Sequence, residues 1–246
     1  MTSFLLATLY APLASWGDIA VGEVRDSWEF PSRSAMLGLL AGALGIQREE
    51  QSRHDALDQG LGVAVRADVL GTAMVDYHTV QTVAAKAIKK RPPVTRRELL
   101  AAAPPETMVT RRTLRCEALY TVALWKTSEA GATLDELAYA LRFPVFTPYA
   151  GRKANAFALP FNPQIVEGDS LAAALSQRQA PSVLEGRPRD RVKVPVHVAH
   201  DQCHGFESGL SLVREVRRRD ASPQRGRWQF AERTMCVSAW PEEVVG

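Results

Sequence analysis

The stretch Ser3–Ala11 is almost unbroken in apolar residues, is rich in Leu, Phe and Tyr, and stops at Pro12, which predicts a β-strand. Residues 12–31 lack any period and carry two tryptophans. A loop this long inside a compact domain is usually functional or covered by a partner, so Trp16 and Trp28 are expected to be exposed and the isolated chain poorly soluble. Helical spacing then takes over. Leu37, Leu40, Ala41 and Leu44 share one face of a helix over 32–45, with Ser32 or Ser34 as N-cap and Gly45 as the stop. Gly38 and Gly42 on this helix suggest close approach to a sheet. Partial alternation over Gly62–Leu70 predicts a strand, with Thr72–Val80 pairing back onto it through Gly71. Glu117–Lys126 predicts another strand. Thr133-Leu134-Asp135-Glu136 is a capping box that opens a helix to about Leu141, and Pro144 stops it. Val145–Tyr149 is expected to be extended.

This order of elements fits an α+β, ferredoxin-like βαββαβ domain over residues 1–159, interrupted by an insert at about 79–113. Residues 160–246 predict an irregular, β-rich C-terminal extension, with extended segments at Val192–Val198 and Trp228–Trp240.

Composition narrows the class. The chain has 246 residues, 46% hydrophobic and 23% charged, which excludes a disordered tail, a collagen-like repeat and a long coiled coil. Uncharged runs such as Ser34–Gln47, 14 residues, fall short of the roughly 20 that a bilayer span needs, so no membrane partner is expected. The apolar start resembles a signal peptide only superficially, because the first basic residue is Arg25; a cytoplasmic protein is expected. Three widely spaced cysteines give no disulfide framework and point to a reducing compartment.

Charge points to a ligand class. The net charge is only +3, yet residues 79–115 hold nine basic residues (Lys86, Lys89, Lys90, Arg91, Arg96, Arg97, Arg111, Arg112 and Arg115) against two acidic ones. The rest of the chain is therefore net acidic, and cations gathered on one segment are the footprint of a phosphate backbone. The helix start Ser32-Arg33-Ser34 offers free N–H groups, hydroxyls and a guanidinium to an anion, although an ordinary N-cap would look the same. In Thr147-Pro148-Tyr149-Ala150-Gly151-Arg152-Lys153, a glycine beside two cations can present backbone N–H groups, and Tyr149 can stack on an unpaired base. Arg217-Arg218-Arg219 is as consistent with a solvated surface as with phosphate binding. The segment His197–His204 has only a superficial metal-site spacing and is expected to be a solvent loop without metal.

Catalytic motifs are thin. There is no G-x-S-x-G, no H-E-x-x-H and no P-loop, and no cofactor is expected. Asp76-Tyr77-His78 offers a general acid–base candidate, which keeps a metal-independent endoribonuclease as the alternative to a binding protein.

Several segments, in order, carry a family resemblance. They are Leu9-Tyr10-Ala11-Pro12 with Ser15-Trp16-Gly17, Phe30-Pro31-Ser32-Arg33-Ser34 running into Leu37–Leu40 and Ala43–Arg48, then Asp76-Tyr77-His78-Thr79, Tyr120–Leu124 and Thr147–Arg152. Over roughly the first 155 residues the chain resembles the Cas-five (CasD) family of type I-E CRISPR Cascade subunits, in the RRM-like RAMP superfamily. The resemblance implies a noncatalytic RNA-binding subunit that holds the 5′ handle of CRISPR RNA and caps the backbone-subunit filament. It also implies contact with the large subunit and support for target DNA recognition in antiviral defence. It casts the insert as a thumb, with Lys86, Lys89, Lys90 and Arg91 as thumb residues. The expected RNA contacts are Trp16, Arg25, Ser32, Arg33, Ser34, His78, Arg111, Arg112, Arg115, Tyr149, Gly151, Arg152 and Lys153. No Tyr-Lys-His constellation of the family's nucleases is evident.

Overall fold

In the computed structural model, residues 1–20, 22–88, 93–179, 181, 197–224 and 229–241 are described. The first strand is β1 (Thr2–Ala14), followed by the short β2 (Val24–Arg25), helices α1 (Arg33–Ala43) and α2 (Gln51–Gly60), and strands β3 (Leu61–Val69) and β4 (Thr72–Thr82). After a 3-10 turn at Ala85–Ile88 come α3 (Arg96–Ala102), β5 (Glu106–Lys126), α4 (Leu134–Arg142), β6 (Gln164–Gly168) and α5 (Leu171–Ser176). The chain ends in β7 (His197–His200), β8 (Ser211–Gln224) and β9 (Gln229–Ala239).

The main sheet runs β6-β1-β5-β3-β7-β9-β8. Its strands are antiparallel to their neighbours. Both faces are covered, which is why β1 is apolar without alternation. Leu5, Ala7 and Leu9 pack with Leu37 and Leu40 of α1 and Leu137 and Leu141 of α4. Phe4 and Leu6, on the opposite face, pack with Trp125, Leu171 and Leu175. Burying each such leucine or phenylalanine contributes about 1.5–3 kcal/mol.

Local capping sets the helices. Ser32 Oγ accepts from the Ala35 N–H at the start of α1. At its end Gly45 takes φ +70°, with Gly45 N–H donating to Gly42 O (3.1 Å) and Ile46 N–H to Ala41 O (2.8 Å), a Schellman stop. Thr133 and Glu136 close the reciprocal capping box of α4. A Cβ added at Gly42 would meet nothing within 4 Å, so this glycine is not there for close packing.

Two expected strand relationships differ. β4 does not pair with β3; it pairs with β5, from Thr72↔Cys116 to Thr82↔Glu106. Gly71, at φ +69°, kinks the chain without reversing it, so β4 continues along the edge of β5 that β3 has just left. A Cβ at Gly71 would lie 2.3 Å from Cys116 O. Opposite this kink Glu117 also has positive φ (58°), with the Tyr10 hydroxyl donating to its carboxylate at 2.6 Å. The result is a long ribbon, β4 against the outer half of β5, that leaves the sheet and carries the basic segment.

Val145–Tyr149 is not a strand. The Val145 and Phe146 N–H groups are spent on the carbonyls of Ala43 and Gly42 at the end of α1. The outer neighbour of β1 is instead β6, paired from Thr2↔Gly168 to Leu6↔Gln164.

Candidate nucleic-acid interface

The start of α1, expected to receive a phosphate, is already filled. Arg33 N–H donates to Asp220 Oδ2 at 2.8 Å, so a carboxylate of β8 sits where an external anion would. The Arg33 guanidinium is turned inward. It binds Asp58 Oδ1 (3.0 Å), the carbonyls of Asp58 and Leu61, and Asp201. Arg233 completes the cluster, bonding both Asp220 oxygens (2.7 and 3.1 Å) and Asp201 Oδ1 (2.9 Å). Ser32 is consumed as the cap and lies 3.1 Å from Ser34 through their hydroxyls. Ser32, Arg33 and Ser34 therefore build the fold here. Asp58, Asp201, Asp220 and Arg233 carried no signal in the sequence, because the partner of Arg33 N–H is 187 positions away.

The two tryptophans of the 12–31 segment are likewise turned inward, although its residues 17–20 and 22–24 are exposed. Trp16 is 6% exposed; its indole N–H donates to the Tyr120 hydroxyl at 3.2 Å and its ring meets that of Tyr120 edge-on. Trp16 is a core residue, with no face open for a base. Trp28 is half-buried beneath Arg218, whose guanidinium lies 3.6 Å from the ring centroid. Of the three consecutive arginines Arg217 is exposed, Arg218 is buried and also faces Asp18, and Arg219 donates to Phe230 O.

His197–His200 is a strand rather than a solvent loop. Burial lowers the His200 pKa, and both its ring nitrogens have partners, Asp201 O at 2.7 Å and Ser238 Oγ at 3.0 Å. Among the described residues no group of three His, Cys, Asp or Glu side chains is placed to hold a metal.

What the structure does bring together lies at the inner end of the ribbon. Arg25 of β2 is in register with Arg112 of β5, and Arg112 is in register with Asp76 of β4. Residues in register point to the same face, so Arg25, Arg112 and Asp76 form a row across three strands. The Arg25 guanidinium folds back on the carbonyls of Gly22 and Val24. His78 Nε2 lies 2.6 Å from Asp76 Oδ2. Arg152 approaches the same row: partial burial and then the like charge of Arg112 lower its pKa, and Asp76 opposes the shift. It arrives there on a turn that needs glycine. Gly151 has φ +82°, and a Cβ on it would fall 1.7 Å from Ser15 O. Tyr149 on this turn is 41% exposed, and Lys153 is exposed.

Arg111 and Arg115 alternate with Arg112 and so occupy the other face of β5. Arg111 is exposed, opposite Tyr77, whereas the Arg115 side chain is only 15% exposed and lies 3.7 Å from Glu29. Beyond them Lys86 is exposed on the 3-10 turn and Arg97 on α3. Lys89, Lys90 and Arg91 lie outside the described residues.

The sequence matches the family described as CRISPR-associated protein (Cas_Cas5) over residues 4–236. The chain belongs to this Cas5 family. It is 36% identical over 162 residues to the CRISPR system Cascade subunit CasD of Escherichia coli (strain K12), covering 63% of this chain and 67% of that one. Its fold is similar to a chain of a CRISPR RNA-guided surveillance complex, at a TM-score of 0.59 and 24% identity, covering 98% of this chain and 92% of the other. A solved Cas protein is similar at a TM-score of 0.60 and 28% identity, covering 98% and 97%. The resemblance carried by the sequence motifs is to this same family. Among the described residues no helix is long and apolar enough to cross a membrane.

Proposed function

We propose that this Cas5-family chain is a noncatalytic, RNA-binding subunit of a type I-E Cascade-like, CRISPR RNA-guided surveillance complex. In this reading it holds the 5′ handle of the CRISPR RNA and caps the backbone filament. It meets the large subunit and supports recognition of double-stranded target DNA in antiviral defence. The observation that carries the reading is the Arg25–Arg112 row with Arg152 beside it, on the surface where the ribbon leaves the sheet. Arginines fix phosphates and so position a strand, while unpaired bases are read by stacking and edge contacts. Tyr149 supplies an exposed aromatic next to those cations.

The order β6-β1-β5-β3, with α1 and α4 in the two crossovers, supports reading the core as ferredoxin-like. In that reading the β4–β5 ribbon and its tip are the thumb, reaching from the core toward the guide. Lys86 and Arg97 keep cations on it.

The test is co-expression with candidate backbone and large subunits and a CRISPR array, followed by 5′-end sequencing of the RNA that co-purifies. Uniform guides with a repeat-derived 5′ handle are expected. Guides matured when this chain is the only Cas protein present, or repeat RNA cut once by the pure chain in EDTA, would instead establish a metal-independent endoribonuclease.

A further inference from the structure

A grip on phosphates alone has no use for a carboxylate, yet Asp76 sits in register beside Arg112. Its side chain is 42% exposed and that of its neighbour His78 is 45% exposed, so neither is a core group. Among the described residues the carboxylate pairs with His78, and no ion pair ties it to Arg112 or Arg152. A carboxylate only accepts hydrogen bonds, so His78 donates from Nε2 to Asp76 Oδ2, which fixes the carboxylate's orientation and leaves its other lone pairs open. In-register side chains on adjacent strands stand roughly 5 Å apart at Cβ, the scale of a base edge.

We infer that Asp76 and Arg112 together read the edge of one unpaired base, and that the base they favour is guanine. The inference rests on the RNA-binding reading above and deepens it. The arginine supplies donors and the carboxylate, next to it, supplies two acceptors. Guanine presents O6, N1–H and N2–H in a row, one acceptor followed by two donors, so Arg112 meets O6 while Asp76 takes both N–H groups. Cytosine and adenine offer the carboxylate a single amino group. Uracil sets its one N–H between two carbonyl oxygens, which the carboxylate repels. Charge-assisted, two-point contact is the stronger kind, and such a pair typically discriminates by about tenfold or more.

The test uses the full chain and fluorescein-labelled RNA octamers, by anisotropy at low salt. The probes are oligouridylate and oligouridylates with one guanine, adenine or cytosine placed in turn at each position. Wild type is expected to bind the best guanine octamer about tenfold more tightly than oligouridylate and more tightly than the adenine or cytosine series. In Asp76→Asn that ratio should fall close to one, while oligouridylate itself binds more tightly because a charge that repels phosphate is gone. Asp76→Ala, checked for an unchanged melting curve, should behave alike. Binding with no guanine preference, or a preference that survives in both variants, overturns the inference and leaves the RNA-binding reading standing. No binding of any octamer overturns both.

Discussion

The carboxylate of Asp220 accepts the backbone N–H of Arg33 at 2.8 Å, so the helix start that looks most like a phosphate site is capped by the protein itself. Asp220 is 5% exposed and also holds Arg233 through both oxygens. Its removal leaves the Arg33 N–H without its acceptor and the Arg233 guanidinium with Asp201 alone. Leaving a buried donor without its acceptor costs about 1–3 kcal/mol. At roughly 2–4 °C per kcal/mol for a chain of this size, Asp220→Ala should lower the Tm by roughly 2–12 °C. A thermal melt within about 1 °C of wild type would show that the contact is idle.

The buried His200 predicts an acid-sensitive fold. Burial is the main cause of its lowered pKa, so the unfolded chain binds a proton here more readily than the folded one. Stability therefore rises with pH, and this contribution is lost as pH falls through the ordinary histidine range near 6.5. Denaturant unfolding at pH 7.5 and 5.5 should show a loss on acidification that is smaller in His200→Gln. The difference between the two proteins isolates this histidine from the carboxylates, of which Asp68 is shifted upward by its own burial.

Gly151 should tolerate no side chain. Its φ of +82° alone costs a side-chain-bearing residue about 1–3 kcal/mol, and the added Cβ would collide with Ser15 O. Gly151→Ala is expected to lift the 147–153 turn off the 15–17 segment and to weaken RNA binding by displacing Tyr149 and Arg152. Wild-type affinity in this variant would detach the turn from the interface.

Tyr149→Ala should weaken single-stranded RNA binding by about 1–3 kcal/mol, the worth of one stacked base. Arg152→Ala should act differently. Losing one phosphate contact should flatten the dependence of log affinity on log salt by about 0.7 for a single strand, with little change in base preference. A salt titration of both variants separates stacking from charge, and an unchanged slope in Arg152→Ala would remove it from the phosphate contacts.

Signals carried within a few residues were legible in the sequence. The Thr133–Glu136 box, a serine cap at 32 or 34, the Gly45 stop and the apolar run of β1 each specify their element locally, although β1 passes through Pro12 and ends at Ala14. α2 was not legible, because Gln51–Gly60 is mostly polar and buries little beyond His54, Leu57 and Gly60. Partner choice was not legible either. Gly71 looks like a hairpin turn, and only the position of β5 shows that it is a kink within a continuing edge. Arg33 shows the same limit at the site. An arginine at a helix start serves a phosphate or a buried carboxylate equally well, and the carboxylates that decide the matter lie 25 and 168 positions away. Arg112 and Arg152, in contrast, were legible as cations, and the fold supplied their proximity.

In the proposed reading the chain holds guide RNA at the inner end of the ribbon and not at the start of α1. The most direct test of that placement is the amount of guide RNA retained per assembled complex when Arg112 and Arg152 are both replaced by Glu, with the exposed Arg217→Glu as the control. The double variant is expected to fold with a near wild-type melting curve and to lose most of its guide RNA, while the control keeps it. Full RNA retention in the folded double variant would mean that the guide is held elsewhere.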